Sequence, residues 1–157
     1  MNLLKEYDKI YFASKNYAKN KRHKIKKSEW LIRIAQNFIP EIKSLFEVGC
    51  SIGNTLQAAK NLDIYHLGTD VSDFAVNYCK KNGLNAEKLT IEQVADNRER
   101  FDLIFMQHVL EHFSNPFETL SLCHRLLKKK RTNSDSCAKF RLQKSTKKKG
   151  KTPFLQH

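Results

Sequence analysis

No stretch of about 18 uncharged apolar residues occurs in the chain, so no membrane-spanning helix is expected. The four cysteines (Cys50, Cys79, Cys123 and Cys137) include no CxxC pair. Neither a zinc site nor a disulfide framework is indicated, no metal is expected, and a reducing cytoplasm fits. The first residues, MNLLKEYDKIYF, mix charges with apolar side chains from the fifth position, which is not the pattern of a secretory leader. The glycine spacing G-x-G-x-x-G of dinucleotide binders is missing. No internal repeat is visible.

What is present is enough for one domain with a sizeable core: 157 residues, 40% of them hydrophobic. The net charge of +13 resembles a nucleic-acid signal until it is located. Residues 128–157 carry eleven Lys or Arg against one acid, Asp135, for +10, whereas residues 1–127 carry only +3. The excess therefore belongs to the tail.

Residues 1–28 are polar, basic and aromatic, with Tyr7, Tyr11, Phe12 and Tyr17 spaced for helix. The segment 29–38, EWLIRIAQNF, places Trp30, Leu31, Ile34, Ala35 and Phe38 on one helical face, and Pro40 marks its end. SLFEVGC then suits a buried parallel strand. GNTLQAAKNL follows as a helix, IYHLGTD as a strand, and SDFAVNYCKKNGL as a helix with Ser72 as N-cap and Gly83 just beyond its end. NAEKL reads as a third strand and FDLIFM as a fourth. NPFETLSLCHRLLKK is a helix capped by Asn115, with Pro116 in its first turn. The alternation predicts an α/β fold: a Rossmann-like, doubly wound parallel sheet of about four strands, with N-terminal helices.

Three places carry chemistry. Glu47-Val48-Gly49-Cys50-Ser51-Ile52-Gly53-Asn54 sits where a strand turns into a helix. Gly49 permits a tight turn, Cys50 and Ser51 are small, and Gly53 opens a helix whose free N–H groups favour an anion. Asp70 ends the next strand, 17 residues beyond Gly53, where an acid can accept hydrogen bonds from both hydroxyls of a ribose. Gln107, His108, Glu111 and His112 follow the fourth strand directly and should line a crevice at the carboxyl end of the sheet.

In combination these blocks resemble the class I S-adenosylmethionine-dependent methyltransferases. FEVGCSIGNTL looks like the first motif of that family, GTDVSDFAV like its second, and FDLIFMQHVLEHFSNPFETLSLCHRLLK like its fourth-strand block. The style is that of small-molecule enzymes of the ubiquinone-biosynthesis O-methyltransferase type, over residues 42–129. The resemblance implies S-adenosyl-L-methionine as cofactor and a small-molecule methyl acceptor. It implies that Glu47, Gly49, Cys50, Ser51 and Gly53 surround the methionine part. Asp70 would hold the ribose, Val71 would flank the adenine with Leu89, Thr90 and Ile91 beyond it, and Gln107 would lie at the methionine end. An oxygen acceptor needs a base, for which His108 and His112 are candidates with Glu111 as orienting partner; the alternative is that they cap the next helix or bond the loop. MQHV is not the Asn-Pro-Pro-Tyr block of enzymes that methylate exocyclic nitrogens.

The expected organisation is an N-terminal helical segment or lid at 1–38, a partial methyltransferase domain at 39–129, and a basic tail at 130–157 too poor in apolar residues to fold alone. Where the family continues with a turn and a fifth strand, this chain continues KKKRTNSDSCAKF. A one-nucleotide frameshift near Lys128–Lys130 is expected. Codons allowed for Lys130 to Leu142, read one nucleotide out of phase, can encode Asn-Gly-Leu-Ile-Val-Ile and then Val-Pro-Asn-Phe. A chain lacking the later strands should be marginally stable and impaired in activity. Two other readings remain. One is a non-catalytic module whose tail binds nucleic acid or acidic surfaces non-specifically, poorly supported because the tail has no Tyr or Trp. The other is a nicotinamide-dependent oxidoreductase, disfavoured by the glycine spacing.

Overall fold

The computed structural model describes residues 20–39, 41–96 and 100–128. Along the chain run α1 (Lys21–Gln36), β1 (Ser44–Val48), α2 (Asn54–Asn61), β2 (Tyr65–Thr69), α3 (Asp73–Lys81), β3 (Ala86–Glu87), α4 (Ile91–Asp96), β4 (Leu103–Met106), a 3₁₀ turn (Leu110–His112) and α5 (Pro116–Leu126). The strands form one sheet in the order β3-β2-β1-β4, every pairing parallel. All five residues of β1 are buried, as a strand flanked on both sides and covered on both faces requires.

Successive strand residues point to opposite faces, and this divides the core in two. Leu45 joins Ile32, Leu56, Ile64 and Leu84 on one face of the sheet. Phe46 joins Val48, Phe101, Leu122 and Leu126 on the other, with its ring stacked on Phe101 at 5.1 Å. Helices α1 and α2 pack together on the first face, and α4 and α5 pack together. Val48 is in register with Thr69 and with Met106, and Thr69 with Glu87. The carboxyl ends of all four strands thus reach a single rim.

Several sequence signals act as expected. Ser72 Oγ accepts the Ala75 N–H at 3.2 Å at the start of α3, and Gly83 follows that helix at φ 66°. Asn115 Oδ1 accepts the Glu118 N–H at 3.3 Å, with Pro116 beginning α5. Other expectations need correction. The helix placed at 29–38 starts at Lys21, and its inward face is not the aromatic one. Ile25, Ser28, Ile32 and Ala35 pack inward, whereas Trp30 is 59% and Phe38 66% exposed. Small and β-branched residues allow close approach to α2, which the bulkier stripe would prevent. NAEKL contributes only Ala86–Glu87 as strand, since the chain leaves the sheet to enter α4. That helix opens with a reciprocal cap: Thr90 N–H donates to Gln93 Oε1 at 2.8 Å and Gln93 N–H to Thr90 Oγ1 at 3.4 Å. The aromatic spacing at 7–17 and the tail from 129 lie outside the described residues.

At the opposite end of the sheet one carboxylate ties β1 to β4. Asp102 Oδ2 accepts from the backbone N–H of Lys43 (3.0 Å) and Ser44 (2.9 Å), from Ser44 Oγ (2.8 Å) and from Lys128 Nζ (3.0 Å). Burial pushes its pKa up, but the bonds from Lys128, Ser44 and Lys43 outweigh burial and hold it below the ordinary carboxylate value. Asp102→Ala is expected to cost about 2 kcal/mol of stability, seen as an earlier urea midpoint. Its share of that stability is present at neutral pH and disappears as pH falls through the depressed pKa. Among the described residues β4 is one of the sheet's two edge strands, β3 being the other, and its four residues are only half-buried. After α5 the chain returns beside it, with Leu127 bridging Phe101 in parallel.

Candidate active site

The rim is built around the turn from β1 to α2. Gly49, Ser51 and Gly53 all have positive φ, at 70°, 50° and 73°. Gly53 caps α2 from the left-handed region, and an added Cβ there would stand 2.7 Å from Leu84 and 2.8 Å from Cys79 Sγ. An added Cβ at Gly49 would overlap the Val109 side chain. Val109, which the sequence did not single out, therefore brings the loop after β4 onto the turn after β1.

Asp70 joins the second strand to the same turn. Its Oδ2 accepts the Ser51 N–H at 2.8 Å and its Oδ1 the Ser72 N–H at 2.9 Å. Each carboxylate oxygen keeps a second acceptor site. Beside it Val71 is 82% exposed at the rim.

Glu47 lies beneath the turn, only 4% exposed, with Oε2 lacking a hydrogen-bond partner. Burial pushes its carboxyl up to about 8, against a hydrogen bond from Thr55 that favours the ionised form, while Cys79 and Asp70 nearby raise it further. Thr55 Oγ1 in turn lies 3.2 Å from Ser28 Oγ of α1, and both residues are buried. A polar chain thus runs from α1 through α2 to the floor of the turn. An ordinary sequence scan had no reason to pick Ser28 or Thr55; the signal available was a hydroxyl on each apolar helix face.

The Glu47 shift has a thermodynamic signature. The unfolded chain ionises this carboxyl near its ordinary value of 4.5, whereas the folded chain keeps its proton to about 8. Between those values the unfolded state holds fewer protons, so stability falls as pH rises, by at most about 1.4 kcal/mol per pH unit from this group. Glu47→Gln is expected to flatten that decline, giving a variant more stable than the parent above pH 8. Urea unfolding from pH 5 to 9 checks it; parallel curves for the two proteins would refute it.

The remaining candidates are spread along the rim. Thr90 is exposed and begins α4, whereas the Ile91 side chain is buried in the second core cluster, leaving only its backbone toward the rim. The Cys50 side chain is likewise buried, leaving only its backbone toward the surface of the turn. Gln107, His108, Glu111 and His112 are exposed beyond β4. His108 takes a left-handed φ of 55°. Its Nδ1 lies 3.7 Å from Glu111 Oε1, near enough for an ion pair but too far for a hydrogen bond. Neither histidine caps α5, because Asn115 holds that position.

A family described as "Methyltransferase domain" matches residues 46–130. The ubiquinone biosynthesis O-methyltransferase of Nitrosomonas europaea is 31% identical over 107 residues, covering 59% of this chain and 45% of that protein. The protein of the same name from Haemophilus ducreyi is 28% identical over 97 residues, covering 55% and 41%. The chain thus spans less than half the length of these curated relatives. Among solved structures, the plantazolicin methyltransferase BpumL in complex with SAH aligns with a TM-score of 0.61 at 18% identity, covering 80% of this chain and 55% of that one. A SAM-dependent methyltransferase from Archaeoglobus fulgidus aligns with a TM-score of 0.51 at 24% identity, covering 64% and 48%. By its sequence over residues 46–130, and in agreement with its sheet and rim, the chain belongs to the methyltransferase-domain family.

Proposed function

We propose that this chain carries the cofactor-binding half of an S-adenosylmethionine-dependent methyltransferase acting on a small-molecule acceptor in the cytoplasm. The supporting observation is the 2.8 Å bond between Ser51 N–H and Asp70 Oδ2. It joins the glycine turn and the acid one crossover later at the same rim; had they lain at opposite ends of the sheet, no single ligand could span them.

The residues fit such a ligand. The turn at Gly49, Cys50, Ser51 and Gly53 offers backbone to the methionine part, with Glu47 beneath it and Gln107 beyond β4. Asp70 retains acceptor capacity for ribose hydroxyls, and Val71 presents apolar surface to the adenine, with the Thr90–Ile91 backbone across from it. When bound, S-adenosylmethionine supplies an activated methyl group. The protein's part is to orient the acceptor and exclude water. His108 or His112 would take the acceptor's proton, and the support for this is that Glu111 is within ionic reach of His108.

In the same reading residues 1–38 serve as a lid, 39–129 as the partial domain, and the basic segment 130–157 as the product of a shifted frame. Sequencing the gene through codons 126–134 tests the last point; an unbroken frame, with the tail present in the mass of the purified protein, would end it. The function itself is tested by calorimetry of the full chain with S-adenosylmethionine and, separately, NAD. Binding of the first alone is expected. Binding of NAD, or of polyanions only, would overturn the proposal.

A further inference from the structure

Two cysteines from different elements meet beneath the glycine turn. Cys50 belongs to the turn and Cys79 to α3, and both are buried. Cys79 Sγ lies 3.3 Å from the Ser51 carbonyl oxygen, and Cys50 Sγ 3.8 Å from the same atom. Both thiols converge on that one oxygen. The neighbouring Cys79 thiol, then burial, pushes the Cys50 thiol up, whereas the neighbouring Cys50 thiol holds Cys79 below its ordinary value. Gly53 keeps the space open, since an added Cβ would stand 2.8 Å from Cys79 Sγ.

Ser51 is a non-glycine residue at φ 50°, a conformation that surrounding structure must hold in place. Its N–H is held by Asp70 at 2.8 Å and its carbonyl by the thiols. A disulfide has no S–H and would leave that carbonyl without these donors.

We infer that Cys50 and Cys79 are a reversible dithiol–disulfide pair, oxidised by a hydroperoxide, whose oxidation releases the Ser51 peptide and loosens the turn. The chemistry balances. The Cys79 thiolate attacks the peroxide oxygen, breaking the O–O bond to give a sulfenic acid, and its former proton completes the departing alcohol. Cys50 sulfur then displaces hydroxide from the Cys79 sulfur, and the Cys50 proton completes a water. Two thiols and one hydroperoxide yield one disulfide, one alcohol and one water. A small dithiol reverses the change. The oxidant enters through local opening of the turn. The consequence for the cofactor, weaker binding after oxidation, rests on the function proposed above.

The test treats the full chain with hydrogen peroxide, alkylates the remaining thiols, and maps peptides by mass. Linked Cys50 and Cys79 peptides are expected, short by two hydrogens and restored by dithiothreitol. Amide exchange at Ser51 should be about tenfold faster in the oxidised chain, and affinity for S-adenosylhomocysteine about tenfold lower. Cys79→Ser should give no link and identical exchange before and after peroxide. Linkage to Cys123 or Cys137 instead, sulfinic acid at Cys79 without a link, or unchanged exchange in the linked chain would each overturn the inference. A reduced chain that links normally but binds no S-adenosylhomocysteine would refute the cofactor reading alone.

Discussion

Asp70→Ala is expected to weaken S-adenosylmethionine binding by about 100-fold while leaving a folded protein of lower Tm. The carboxylate holds two loops at once, through Ser51 N–H at 2.8 Å and Ser72 N–H at 2.9 Å. A hydrogen bond to a charged group contributes about 1.5–3 kcal/mol. With the carboxylate gone, both N–H groups lose their partner, and Ser51 keeps a positive φ without its anchor. Part of that cost falls on folding. The rest falls on the bound state, where the same group is proposed to meet the ribose. Asp70→Asn separates charge from shape. Its single amide oxygen can serve one of the two N–H groups, while its NH₂ would face the other, so it should bind almost as poorly as the alanine variant. Calorimetric affinities within about threefold of the parent for both variants would remove Asp70 from the site.

How far the sequence could be read depends on the kind of interaction that fixed each feature. The parallel sheet was legible because β1, buried on both faces, reads as a short, largely apolar segment, SLFEV, interrupted only by Ser44 and Glu47. The caps at Ser72 and Asn115 were legible because their partners lie three residues away. Gly49 and Gly53 announced a turn that both of them make at positive φ. The reading failed where long-range packing decided. Trp30 and Phe38 have the right spacing for a buried stripe, but α1 turns its smaller residues toward α2. The cap Thr90-Ile91-Glu92-Gln93 is local and readable as a Thr-x-x-Gln pattern, although the six-residue helix that it opens is too short to show a periodicity. At the rim, Asp70 could be placed by its one-crossover separation from the turn. The Ser28–Thr55–Glu47 chain could not, because its members are 27 and 8 residues apart and only tertiary packing brings them together.

The turn's dependence on glycine gives the other large expected effect. Gly49→Ala should destabilise the protein by about 3 kcal/mol and abolish cofactor binding at ordinary concentrations. Two causes add. A left-handed φ of 70° costs a residue with a Cβ about 1–2 kcal/mol. The new methyl also overlaps the Val109 side chain, and overpacking costs about 1–3 kcal/mol. A second substitution tells them apart. Val109→Ala alone should cost about 1 kcal/mol, since it removes a half-buried contact with the second core cluster. In the double variant the overlap disappears and only the backbone strain persists, so Gly49→Ala/Val109→Ala should be about as stable as Gly49→Ala or better. The coupling energy from urea unfolding of the four proteins then comes out favourable by about 1–3 kcal/mol. Strict additivity would mean that Val109 does not cover the turn, and the loop after β4 would lose its link to the cofactor side of the rim. The double variant should still bind S-adenosylmethionine poorly, because the strained turn, unlike the steric overlap, is not relieved by emptying the space above it.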